Sequence, residues 1–115
     1  MSQPPFTPGL HLLIDHFGGH GLTDPQMLRD ALTGAAHAAG ATVLSCELHG
    51  FEGGGITGVV LLAESHITIH TWPERDYAAI DIFMCGNADP HRAAAHLEQA
   101  LTPARTTVTA HQRGH

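Results

Sequence analysis

The residues from Glu64 to Glu74 read ESHITIHTWPE and gather hydroxyl, imidazole and carboxylate groups in a short run. On a β-strand, side chains alternate between faces, so His66, Thr68 and His70 share one face and Ile67 and Ile69 the other. Ser65 stands at the start of this run. Cys85 ends the next apolar run, YAAIDIFMC, which an antiparallel hairpin would fold back alongside. A serine, two histidines and a thiol could thus occupy one small site, suited to attack by a hydroxyl and to proton transfer through imidazole or thiol. Two histidines on one face are also a common fragment of a zinc site, although no third ligand stands at motif spacing. A solvated polar face is the remaining reading. Residue types and spacing leave all three open.

The elements that would position these groups follow from periodicity and punctuation. His11–His16 forms a short strand after an irregular arm over residues 1–8, which holds Pro4, Pro5 and Pro8. Thr23 or Asp24 caps a helix that has Pro25 in its first turn. Leu28, Ala31, Leu32, Ala35 and Ala39 recur at helical spacing, and Gly40 stops the run. Strands are expected in ATVLSCELHGF, ITGVVLLAE, HITIHTW and YAAIDIFMC, with turns at Gly53–Gly55, around Ser65 and at Pro73–Asp76. Asp89-Pro90 repeats the cap-and-proline signal ahead of Ala94, Leu97 and Leu101, and TTVTAH closes as a last strand. Consecutive strands joined by short turns pair antiparallel, and both helices must bury an apolar stripe. The expected fold is an α+β two-layer sandwich, a mainly antiparallel sheet with two helices on one face.

Composition narrows the function. A chain of 115 residues suits one domain. Five Lys and Arg against 11 Asp and Glu, a net charge of −6, argue against a nucleic-acid partner. No apolar run approaches the roughly 20 residues that span a bilayer. MSQPPFTPGL has neither the basic nor the apolar region of a secretory signal, so a cytoplasmic location is expected. Cys46 and Cys85 are expected as free thiols. The 11 histidines also suit a histidine-rich metal-binding module, a remote alternative.

ESHITIHTWPE, with TGVVLLA before it and YAAIDIFMCG after it, resembles the signature of the prokaryotic S-adenosylmethionine decarboxylases. The resemblance runs from HLLIDHF through AGATVLS to the second helix. It implies a proenzyme that cuts its own Glu64–Ser65 bond, giving fragments 1–64 and 65–115. The Ser65 hydroxyl would attack the Glu64 carbonyl to form an ester. Elimination and hydrolysis would then convert Ser65 into a pyruvoyl cofactor, an electron sink for decarboxylation. By the same resemblance, His70 is the base for elimination, Thr57 assists near the oxyanion where most relatives carry serine, and Cys85 donates the proton that ends the catalytic cycle. No metal is expected.

The resemblance also implies a homodimer with sites near the subunit interface, and a role in polyamine synthesis. Phe51 would stack on the adenine of S-adenosylmethionine, and Glu74 would bond its ribose. Two departures bear on the substrate. This chain has His49-Gly50-Phe51 followed by a glycine-rich turn, and WPERDYAA where relatives tend to read WPEYGYAA. Asp76 could pair with a guanidinium or ammonium group. The alternative substrate is therefore L-arginine or L-ornithine, decarboxylated by the same chemistry.

Overall fold

Two aspartates start the two helices. The Asp24 side chain accepts from the backbone N–H groups of Gln26 and Met27, and Asp89 accepts from that of His91. Pro25 and Pro90 follow each cap, where a missing N–H costs nothing. Helix α1 (Pro25–Ala38) buries Leu28, Ala31, Leu32, Ala35 and Ala36. Helix α2 (Pro90–Leu101) buries Pro90, Ala93, Leu97 and Leu101. Its stripe runs through Ala93 rather than the expected Ala94, which is half-buried, because Ala93, Leu97 and Leu101 stack at four-residue intervals.

A computed structural model describes residues 8–114, so the arm expected over residues 1–8 lies, apart from Pro8, outside the described residues. The strands are β1 (Gly9–Phe17), β2 (Val43–Gly50), β3 (Ile56–Leu62), β4 (Ser65–Trp72), β5 (Tyr77–Cys85) and β6 (Arg105–Gln112). They form one six-stranded sheet in the order β2-β3-β4-β5-β1-β6. All five pairings are antiparallel. A short 3₁₀ turn, Pro73–Arg75, joins β4 to β5. The expected two-layer α+β sandwich is what forms.

Alternation divides the sheet cleanly. Leu12 and Ile14 of β1, Val60 and Leu62 of β3, Ile67 and Ile69 of β4, and Ile80 and Ile82 of β5 meet the two helices in one core. Burying each such side chain contributes about 1.5–3 kcal/mol. Close approach is needed at Gly58, where a β-carbon would stand 2.5 Å from Leu48 Cδ2 and 3.0 Å from Ile69 Cγ2. The other sheet face has no helix. It carries His66, Thr68 and His70, together with Leu13, Val59, Leu61 and Trp72, which are 44, 40, 50 and 40 % exposed, whereas Ser65 is buried in phase with Ile67 and Ile69.

Candidate active site

Leu62 pairs directly with Ser65, so only Ala63 and Glu64 connect β3 to β4. The favoured two-residue hairpin turns have positive φ at both residues or at the first. Here Glu64, the second, has φ 62, and Ala63 is not among the residues at positive φ. Holding a side chain in the left-handed region costs about 1–2 kcal/mol. The Glu64–Ser65 peptide bond therefore leaves a strained residue.

Three groups converge on that bond. Ser65 is buried, and its Oγ accepts from the Cys85 N–H at 3.2 Å. The Cys85 Sγ donates to the Glu64 carbonyl oxygen at 2.9 Å. A hydroxyl, an adjacent carbonyl and a donor on that carbonyl form the elements of an acyl shift.

A second cluster lies at the far end of β4. Thr57 pairs with His70 across β3 and β4, and Thr57 Oγ1 is 2.9 Å from His70 Nδ1. The His70 ring stacks on Trp72 with centroids 5.8 Å apart, and Trp72 stacks on Tyr77 at 5.6 Å. Phe51 lies in the nearby β2–β3 turn, exposed, with its ring 4.7 Å from that of His49. Glu74 belongs to the 3₁₀ turn, and Asp76 follows it with φ 52; both are exposed. Among the described residues no ion pair joins Arg75 to Asp76.

The structure thus brings Ser65 and Cys85 together with Glu64, joins Thr57 to His70 at the far end of β4, and leaves Phe51, Glu74 and Asp76 exposed in turns. Five residues of strand separate Ser65 from His70, a span of about 16 Å. The expectation that serine, histidines and thiol share one small site within the chain is corrected on this point: His70 cannot reach Ser65 of its own chain.

Sequence reasoning missed a third group. Asp81 Oδ2 lies 2.6 Å from His11 Nε2 and 3.1 Å from His66 Nε2, and Thr68 donates to the other carboxylate oxygen. Burial alone would raise the Asp81 carboxyl, but the hydrogen bonds from Thr68, His11 and His66 outweigh it and leave the group below the usual carboxylate range. The alternation of His66 and Thr68 was legible. The neighbourhood of His11 was not, because it depends on β1 sitting beside β5. A shallow depression of about 250 Å³, lined by Leu13, Asp15, Thr68, His70, Ala79 and Asp81, joins this group to the His70 cluster. A larger groove of about 370 Å³, between α2 and β6, is lined by His16, His91 and Glu98 on the helix face and shares no residue with either cluster.

Residues 10–114 match the model of a protein family described as S-adenosylmethionine decarboxylase. The chain belongs to that family. Among its relatives, the S-adenosylmethionine decarboxylase proenzyme of Thermotoga petrophila is 42 % identical over 109 residues, covering 92 % of this chain and 84 % of that one. The proenzyme of Methanococcus maripaludis is 39 % identical over 109 residues, covering 92 % and 89 %. The crystal structure of the adenosylmethionine decarboxylase from Aquifex aeolicus VF5 superposes with a TM-score of 0.82 at 40 % identity, covering 95 % of this chain and 92 % of that one. The family that ESHITIHTWPE and its flanks resemble is therefore the one to which the chain belongs, and the α+β sandwich expected from periodicity and turn signals is the one observed.

Proposed function

We propose that this chain is a self-cleaving S-adenosylmethionine decarboxylase proenzyme, a single domain cut into residues 1–64 and 65–115. The observation that carries the reading is the Cys85 thiol on the carbonyl of a left-handed Glu64, with the Ser65 hydroxyl beside it. Attack by Ser65 Oγ on the Glu64 carbonyl carbon puts negative charge on the oxygen that Cys85 already contacts. Collapse breaks the C–N bond, protonates the nitrogen and leaves an ester. A base then removes the Ser65 α-proton, the Glu64 carboxylate departs from Cβ, and hydrolysis releases ammonia. The pyruvoyl group so formed supplies a ketone that can condense with a substrate amine and accept the electrons left by loss of CO₂. The residues present fit it: its position lies at the start of β4, within reach of the Cys85 thiol, which can return a proton to the substrate carbon.

The base is His70, acting with Thr57 from a second copy of the chain. Within one chain the strand places His70 about 16 Å from Ser65, so His70 of the same chain is out of reach. A two-fold pairing through the open sheet face would lay one end of β4 against the other end of its counterpart, and the exposed Leu13, Val59, Leu61 and Trp72 give that face an apolar surface. The same pairing would bring Phe51 and Glu74 to the pyruvoyl group for adenine and ribose. Asp76 would then stand near the substrate, where it could also favour arginine or ornithine. The S-adenosylmethionine reading rests on the family to which the chain belongs. The free thiols Cys46 and Cys85 agree with a cytoplasmic setting. No helix among the described residues is long and apolar enough to cross a membrane.

Intact mass tests the cleavage, since Ser65→Ala should remain whole at 12.2 kDa while the native chain splits. Mixing tests the second copy. His70→Ala alone should stay uncut but should be cut when co-expressed with Ser65→Ala, which supplies His70. A mixture that stays uncut, or His70→Ala chains that cut normally alone, would overturn the two-copy site. CO₂ release from S-adenosylmethionine, arginine and ornithine, measured side by side, settles the substrate.

A further inference from the structure

We propose that His11, His66 and Asp81 form a binding site for a first-row transition-metal dication, for which zinc is the reference ion. The sequence offered two histidines on one strand face and no third ligand. The sheet supplies a different set. His66 of β4 and His11 of β1 both pair with Phe83 of the intervening β5. They therefore flank one position from either side, with ring centroids 6.0 Å apart. Asp81, one pleat along β5, reaches both.

The dimensions suit a metal. The three ligand atoms lie within 4.8 Å of one another, with N···O separations of 2.6 and 3.1 Å. A tetrahedral zinc with bonds of about 2.0–2.1 Å needs its donors about 3.3 Å apart, so small side-chain rotations suffice. Thr68 holds the second oxygen of Asp81, which leaves Oδ2 as the single donor and orients it, the usual work of a supporting partner around a metal. Two imidazoles and one carboxylate favour zinc or its neighbours over magnesium or calcium, which prefer all-oxygen sites. The His66 side chain is 39 % exposed in the single chain, so the chain itself leaves the fourth position open.

Arg113 sets a competing state. Its Nη1 lies 3.1 Å from His11 Nδ1. A guanidinium only donates, so Nδ1 accepts, and the ring's proton sits on Nε2 facing Asp81. Metal binding at Nε2 would shift that proton to Nδ1 and expel Arg113, which is exposed. The arginine therefore opposes the metal, which a purely structural hydrogen-bond network would not predict.

The test uses the full chain, stripped with a chelator and titrated with Co²⁺, whose visible absorption reports four-coordinate geometry. One Co²⁺ per chain should bind, and zinc should displace it. Asp81→Asn and His66→Gln should each weaken binding at least tenfold. His37→Gln, on the exposed side of α1, should leave it unchanged. Arg113→Gln should tighten binding several-fold. Undiminished uptake by a folded Asp81→Asn would overturn the site. If Asp81→Asn fails to fold, Arg113→Gln decides, and an unaltered affinity there overturns it equally. The readout is independent of cleavage, so the Ser65→Ala chain should bind as well.

Discussion

Replacing Glu64 with glycine should slow self-cleavage by removing stored strain. Glu64 occupies φ 62 in a two-residue turn, and the cost of a side chain there is about 1–2 kcal/mol. Glycine adopts that region freely, so Glu64→Gly stabilises the uncut chain. Attack by Ser65 turns the trigonal Glu64 carbonyl tetrahedral and begins to detach the strained residue, which releases the strain on the way to the transition state. If about 1 kcal/mol of it is released there, the glycine variant should cleave roughly fivefold more slowly, at 1.36 kcal/mol per decade of rate. Glu64→Asn, which tolerates the left-handed region better than glutamate, should fall between the two. The assay is the fraction of uncut chain against time by intact mass, from freshly refolded protein, with thermal melting of each variant in a Ser65→Ala background. A Glu64→Gly chain that is stabilised by about 1 kcal/mol yet cleaves as fast as the native one would refute the link between strain and rate.

His16 should make the fold acid-sensitive. Burial lowers its pKa below 6.5, against the opposing pull of a hydrogen bond at Gly18 and of Asp76 and Glu98; His91 lines the same groove. The unfolded chain takes up a proton below pH 6.5 that the folded one resists, so stability is full above that pH and falls as pH drops through it. His16→Leu should gain on the native chain as pH falls from 7 to 5.5 in urea titrations, and a constant difference would exclude the effect. Thr71→Val should cost about 1–3 kcal/mol, because Thr71 Oγ1 accepts the buried Ile56 N–H at 2.9 Å and valine leaves that donor unpaired; a loss below 0.5 kcal/mol would show that water replaces the hydroxyl. Leu97→Ala, at 1 % exposure under α2, should cost about 2–5 kcal/mol in the same titration. A smaller loss would mean that the helix collapses onto the gap.

Much of this architecture is legible in the sequence because it is local. Asp24-Pro25 and Asp89-Pro90 mark helix starts through their own backbone chemistry. The alternation in HITIHTW divides Ile67 and Ile69 from His66, Thr68 and His70, as the observed burial does. Ser65 and Cys85 meet because a short hairpin brings their strand ends together. What depends on non-local pairing was not legible. Nothing in HLLIDHF says that its strand lies between β5 and β6, so the approach of His11 to His66 could not be foreseen. Shared face was also mistaken for nearness: His66 and His70 point the same way, yet four residues of strand send one to Asp81 and the other to Thr57.

The strand order carries a consequence for the cut protein. Self-cleavage after residue 64 would assign β1, β2 and β3 to one polypeptide and β4, β5 and β6 to the other. Yet β1 lies between β5 and β6. The two pieces are therefore interleaved rather than merely adjacent, and neither can peel away as an intact sheet. Separating them means opening the β3–β4 ladder and the ladders on both sides of β1 together with the shared interior. The nicked molecule should melt in one transition, and its halves, once parted by denaturant, should find each other again only in a second-order step that slows with dilution.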